Sequence, residues 1–175
     1  KRFDGVSVWE KTLGIVGLGA IGLAMARRAQ GFGMKILGYE VMPPRDIEQS
    51  LGIVRVPLDE LLSESDFVTL HVPLTPQTEN LIGEERLRRM KPGAFLINTA
   101  RGGIVDEAAL YRALSEKWIA GAAIDAFVQE PPAGSPLLKL DNVIATPHIG
   151  AFTIESNINT SVITAQNVID ILDRT

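Results

Sequence analysis

Four side chains in this 175-residue chain have the types and positions that catalysis needs: Arg101, Asp125, Glu130 and His148. Each follows an apolar run that reads as a strand, in Asn98-Thr99-Ala100-Arg101-Gly102-Gly103, in Ile124-Asp125 through Glu130, and in Thr146-Pro147-His148-Ile149-Gly150. A guanidinium is a planar fork that grips a carboxylate through two parallel hydrogen bonds. A carboxylate beside an imidazole fixes its tautomer and favours the protonated ring. The protonated ring is the form that can deliver a proton to an oxygen on which negative charge develops. Taken singly, an Arg is more often a surface charge, and a His more often a satisfied core or surface residue. Their common place at strand ends turns the odds toward acid/base work on a small acid.

The elements that must position them start with Thr12 to Glu40. A short apolar strand, Thr12-Leu13-Gly14-Ile15-Val16, leads into Gly17-Leu18-Gly19-Ala20-Ile21-Gly22, a G-x-G-x-x-G turn. A helical run to Gly33 and a second strand ending at Glu40 follow. Gly17 lets the chain turn off the strand, and Gly19 leaves room for a pyrophosphate. Gly22 lets the helix pack closely on the sheet, while the free N–H groups of the helix start face the phosphates. Glu40, about twenty residues beyond the last glycine, is placed to accept hydrogen bonds from an adenosine ribose and to repel a 2′-phosphate. The motif alone is weak. With strand, turn, helix, strand and acid in order, it predicts a dinucleotide site with NAD preferred over NADP. A βαβ unit without nucleotide and an S-adenosylmethionine-dependent methyltransferase are the rival readings at this point.

Further along, Arg45 to Leu51 reads as a short helix, Ile53-Val54-Arg55 as a small extended piece and Leu58 to Ser63 as a helix. Asp66 to Val72 is the third main strand, stopped by Pro73, and Gly83 to Met90 is a helix ended by Lys91-Pro92-Gly93. Ala94 to Thr99, Ile119 to Asp125 and Asn142 to Thr146 are the remaining strands. Glu107 to Lys117 forms a helix capped by Asp106. Thr153 to Leu172 forms a long one, with Ile154, Ile158, Val162, Ala165, Ile169 and Leu172 on one stripe. That stripe suits either a homodimer or packing on the chain's own sheet. Strands alternating with helices, and apolar without strict alternation, predict an α/β fold. The expected form is a Rossmann-type doubly wound parallel sheet, order 3-2-1-4-5-6, with helices on both faces. Ligands in such sheets lie beyond the carboxyl ends of the strands. The segments Gly17–Gly22, Glu40, His71–Pro73, Thr99–Gly102, Asp125–Glu130 and Pro147–Ala151 are therefore expected at one crevice.

Composition narrows the classes. A length of 175 residues, 46% of them hydrophobic, suits one core-rich domain. A net charge of −4 argues against a nucleic-acid surface. The densest basic cluster, Arg86, Arg88, Arg89 and Lys91, reads as a solvated helix face. No apolar run approaches the roughly 18 residues of a membrane span, and no signal-peptide pattern opens the chain. With no cysteine there is neither disulfide nor thiol catalysis, and two histidines make no zinc set, so no metal is expected. A reducing cytoplasm fits.

The chain resembles the nucleotide-binding domain of the D-isomer-specific 2-hydroxyacid dehydrogenases. The likeness lies in Lys11 through Gly22, Leu70-His71-Val72-Pro73-Leu74-Thr75, Ile97 through Asp106, Ile124-Asp125-Ala126-Phe127 through Glu130-Pro131-Pro132, and Asp141 through Ala151. It covers nearly the whole chain and sets the methyltransferase reading aside. The resemblance implies NAD as cofactor and a small 2-hydroxy or 2-keto acid as substrate. It implies Arg101 as substrate clamp, His148 as acid/base and Glu130 as its partner. It also implies that Asp125 holds the nicotinamide carboxamide and that Ala20 and Ile21 meet the pyrophosphate. Val72, Thr99 and Ala100 would line the nicotinamide side, with Pro73, Gly150 and Ala151 beside them, and His71 is expected to be structural or cofactor-lining. In that family the domain is inserted into a discontinuous substrate domain. This chain, which opens at Lys1 without an initiator Met, is therefore expected to be the NAD-binding piece, 1–175, of a longer enzyme. Within the family it looks most like D-3-phosphoglycerate dehydrogenases. Glyoxylate or hydroxypyruvate reductases and D-lactate dehydrogenases are the near alternatives, and an NAD(H)-sensing corepressor is the rival from another class.

Overall fold

The computed structural model describes residues 5–173, so the first four residues of the polar lead-in lie outside it. Seven parallel strands form one sheet: β1 Thr12–Val16, β2 Lys35–Tyr39, β3 Ile53–Arg55, β4 Phe67–Leu70, β5 Phe95–Asn98, β6 Gly121–Ile124 and β7 Val143–Ala145. Their order is β3-β2-β1-β4-β5-β6-β7. The doubly wound sheet read from the sequence is present, with one refinement. The small extended piece Ile53–Arg55 pairs with Ile36–Gly38 and becomes the edge strand. The strand counted third, Asp66 to Val72, is thus the fourth and lies against β1, with Leu13 opposite Phe67 and Val16 opposite Leu70. The sheet winds one way from β1 to β3 and the other from β4 to β7, so its switch point falls between β1 and β4.

The helices are α1 Ala20–Gln30, α2 Asp46–Ser50, α3 Leu58–Glu64, α4 Glu84–Arg89, α5 Glu107–Ser115 and α6 Ile154–Leu172. Successive residues of each strand point to opposite faces. Val16, Val68, Leu70, Leu96, Ala122 and Ile124 meet Leu61 and Leu62 of α3, Leu87 of α4 and Leu110 and Leu114 of α5. Leu13, Ile15 and Ile36 meet Ala26 and Ala29 of α1. Each large aliphatic side chain fully buried this way contributes roughly 1.5–3 kcal/mol, which makes the α3–α4–α5 layer the main source of stability.

The cover on the α1 side is partial. Beyond β1, that face shows Phe67, Thr69, Phe95, Ile97, Ala123 and Ile144, with the rings of Phe67 and Phe95 stacked at 5.4 Å. Two apolar depressions of about 360 Å³ each adjoin at Phe67 and Ile97. The last helix leaves this face alone: α6 is where the sequence places it, yet none of its residues is buried. Packing on its own sheet, one of the two roles read for its stripe, does not occur among the described residues. Trp9 rests against Gly33 at the α1–β2 turn while staying largely exposed. The basic cluster on α4 is solvated, as expected, and also paired: Arg86 and Arg89 reach Asp59, Arg88 reaches Glu84 and the Trp118 ring, and Lys91 reaches Asp66. Among the described residues no helix is long and apolar enough to cross a membrane.

Candidate active site

Parallel strands place all their carboxyl ends on one edge, and the segments singled out above leave the sheet there. At the switch point Gly17 has φ +96° and packs against the backbone of His71. A Cβ on Gly22 would stand 2.0 Å from the Gly17 carbonyl oxygen, so the first turn of α1 closes on the glycine turn only without a side chain there. A Cβ on Gly19 would meet nothing within 4 Å. No side chain caps the start of α1, where Ala20 and Ile21 are exposed. An uncapped helix start beside a bare backbone is an anion-binding arrangement, and it fits a pyrophosphate.

Glu40 sits at the end of β2 with its carboxylate engaged by the turn it faces. One oxygen accepts from Leu18 N–H at 2.9 Å, the other from Val41 and Met42 N–H at 2.8 and 3.2 Å. A carboxylate has about four lone-pair sites, so these three bonds leave room for one further donor. The loop after Glu40 is anchored by a feature the sequence did not reveal. Buried Glu48 pairs with Arg55 at 2.6 Å, and Arg55 donates in turn to the carbonyls of Met42 and Pro43. Arg55 holds the Glu48 carboxyl below its usual range. Arg45, also bonded to Glu48, donates to the Leu18 carbonyl.

Arg101 lines a cleft of about 500 Å³ with Ile21, His71, Val72, Pro73, Leu74, Thr99 and Ala100. Its turn is fixed by buried Asn98, whose amide donates to the Arg101 carbonyl and accepts from Ala100 N–H. The exposed guanidinium makes one hydrogen bond among the described residues, to the Ala100 carbonyl at 2.7 Å. His71 contacts Thr69 Oγ1 at 3.1 Å, and burial holds its imidazole below the ordinary histidine value.

Asp125, Glu130 and His148 line a neighbouring hollow of about 180 Å³. The Nδ1 of His148 lies 2.9 and 3.0 Å from the two oxygens of Glu130. One of those oxygens also accepts from Phe127 N–H at 3.1 Å. The His148 ring, and after it the Phe127 amide, hold the Glu130 carboxyl below the usual carboxylate range. His148 has φ +56°, a left-handed conformation that costs a β-carbon residue of order 1–3 kcal/mol. Asp125 restrains it. Its carboxylate accepts from Thr146 Oγ1 at 2.5 Å and from the N–H groups of Ile149 and Gly150 at 2.8 Å each, on both sides of the histidine. Burial pushes the Asp125 carboxyl up, but Thr146 and the two amides outweigh it and leave it below the ordinary value. Gly150 also brings this turn close to Thr99, just past the end of β5. Ala151 is exposed beyond it.

A parallel sheet wound both ways from a glycine turn, with an acid after its second strand and an uncapped helix beyond, defines a dinucleotide-binding domain. Comparison with known proteins narrows this. Residues 1–150 match the family model of the D-isomer specific 2-hydroxyacid dehydrogenase, NAD binding domain, and the chain belongs to that family. It is 55% identical over 166 residues to a glyoxylate reductase of Korarchaeum cryptofilum, covering 94% of this chain and 50% of the relative. It is 48% identical to a D-3-phosphoglycerate dehydrogenase of Methanocaldococcus jannaschii, covering 98% of this chain and 33% of that one. Among solved structures, a D-lactate dehydrogenase from Aquifex aeolicus complexed with NAD and lactic acid superposes with a TM-score of 0.91 at 38% identity. That match covers 99% of this chain and 56% of the other. The chain thus spans about half the length of such relatives, or less.

Proposed function

We propose that this chain is the cofactor-binding part of an NAD-dependent dehydrogenase that interconverts a D-2-hydroxy acid and its 2-keto acid. The observation that carries the reading is the His148–Glu130 pair, closed at 2.9 Å at the carboxyl edge of the sheet. Bound NAD(H) supplies or accepts the hydride. Because Glu130 occupies Nδ1 of His148, the proton for the substrate's carbonyl oxygen sits on Nε2, and in the reverse direction Nε2 receives it. The Arg101 fork grips the substrate carboxylate and polarises the carbonyl. Asp125 keeps the histidine turn in its strained shape and lies where a carboxamide can reach it. Ala20 and Ile21 meet the pyrophosphate, while Val72, Pro73, Thr99 and Ala100 line the nicotinamide side. Glyoxylate and the keto acid of 3-phosphoglycerate come first among the proposed substrates, supported by the names of the relatives, with hydroxypyruvate and pyruvate as the alternatives. The remaining length of the parent would form the substrate domain that shuts out water. A homodimer and a cytoplasmic setting belong to the same reading, the former supported by the exposed apolar stripe of α6.

Two measurements test this. In the full-length protein, 2-keto acid reduction should yield only the D product. Glu130→Gln should lower kcat for that reduction, because the imidazole loses the carboxylate that fixes its tautomer and orientation. An undiminished kcat in Glu130→Gln would remove the pair from the mechanism.

The cofactor preference is a separate matter. NADH should bind more tightly than NADPH, because a 2′-phosphate would face the Glu40 carboxylate, and Glu40→Ala should narrow the gap. Calorimetric titration of both dinucleotides checks it. Equal affinities in the parent would sink the Glu40 argument.

A further inference from the structure

The loop after β6 carries Glu130, but its own backbone is lightly held. Prolines at 131, 132 and 136 give it few amides, and the bonds of Ala133 and Ser135 stay within the loop. Among the described residues, one hydrogen bond ties the backbone of 127–130 to another element. It is donated by Val128 N–H and accepted by Oε1 of Glu107, 2.7 Å away, at the first position of α5. That end of α5 is rigid. Asp106 caps it through Ala108 and Ala109 N–H, and Ile104 and Val105 just before it are buried and bonded to the segment at Ile82. A second contact presses on the same peptide: a Cβ on Gly102, next to Arg101, would lie 2.1 Å from the Phe127 carbonyl oxygen and 2.5 Å from Val128 N. The Phe127 amide adjoining the gripped one is the group that accompanies His148 on the Glu130 carboxylate.

We propose that Glu107 is a positioning residue for the acid/base pair: its carboxylate fixes the Val128 amide and thereby the loop that presents Glu130 to His148. Glu107 touches neither substrate nor cofactor in this scheme. It links the Arg101 loop, the Glu130 loop and the start of α5 into one frame, so the distance between Glu130 and the imidazole is set from α5. The inference rests on the acid/base role proposed above for the pair, and one of its tests is independent of turnover.

In the full-length protein, Glu107→Ala should lower kcat for keto-acid reduction about tenfold, the worth of one hydrogen bond to a charged group. The KM for NADH should not change. Glu107→Gln keeps an oxygen that can accept from Val128 N–H and should restore kcat. The double variant Glu107→Ala with Glu130→Gln should be no slower than Glu130→Gln alone. Should Glu107→Ala fail to fold, Glu107→Asp, with its carboxylate drawn back by one methylene, decides the matter and should show the same loss of kcat. The turnover-independent readout is the Nδ1 proton of His148 in ¹⁵N-histidine-labelled protein, assigned by its loss in His148→Gln. It should be visible in the parent and in Glu107→Gln, and broadened away in Glu107→Ala or Glu107→Asp. An undiminished kcat with the Nδ1 proton intact would overturn the proposal, as would Gln behaving like Ala. A parent without turnover whose Nδ1 proton still responds to Glu107 would sink the enzymatic reading and leave the positioning role standing.

Discussion

His148→Gln in the full-length protein is expected to cut kcat for 2-keto acid reduction by roughly 10²–10⁴, the usual worth of general acid/base catalysis. Reduction leaves negative charge on the carbonyl oxygen, and a glutamine amide cannot give up a proton to it. NADH affinity should stay near the parent's, because the glycine turn and Glu40 lie across the switch point from the β7 loop. Arg101→Gln should differ in kind. The guanidinium grips the substrate in ground and transition state alike, so its loss raises KM as well as lowering kcat. Steady-state kinetics on the two variants separates the roles. A His148→Gln enzyme with undiminished kcat would assign the proton transfer elsewhere.

The second large effect falls on binding. Gly19→Val should abolish detectable NADH binding while the domain melts as the parent does. The fold tolerates the change because a Cβ at Gly19 meets no neighbour within 4 Å, in contrast to Gly22, where it would strike the Gly17 carbonyl. The branched side chain instead fills the approach to the start of α1, where a pyrophosphate has to come within hydrogen-bonding distance of the backbone. Calorimetry and thermal denaturation on the same sample check both halves. A variant that binds NADH normally would take the phosphate site away from this turn.

Much of this was legible because the signals are local. The glycine turn, the strand ends and the acid after β2 each lie within a few residues of the pattern that announces them, and the helix cap Asp106 is where its side chain predicts. The doubly wound parallel sheet followed from the alternation of strands and helices together with the rule for two βαβαβ halves. What escaped is long-range. Glu107 and Val128 are 21 residues apart, and Asp125 meets the amides of Ile149 and Gly150 more than 20 residues on, with nothing periodic to betray either pair. The edge strand Ile53–Arg55 is three residues long, too short for a clear pattern. The uncovered sheet face was invisible for a different reason. Phe95 and Ile97 alternate with buried Leu96 and Asn98 as core residues would, and sequence records apolarity without saying what lies over it. The same holds for α6, whose apolar stripe stays unburied.

The direct test of the central reading is turnover of the full-length protein with NADH against a panel of glyoxylate, hydroxypyruvate, 3-phosphohydroxypyruvate and pyruvate. The account predicts NADH oxidation with at least one of these acids, cut by roughly 10²–10⁴ in His148→Gln. Tight NADH binding with no turnover of any 2-keto acid would contradict it, and would make the chain part of a dinucleotide-sensing protein instead.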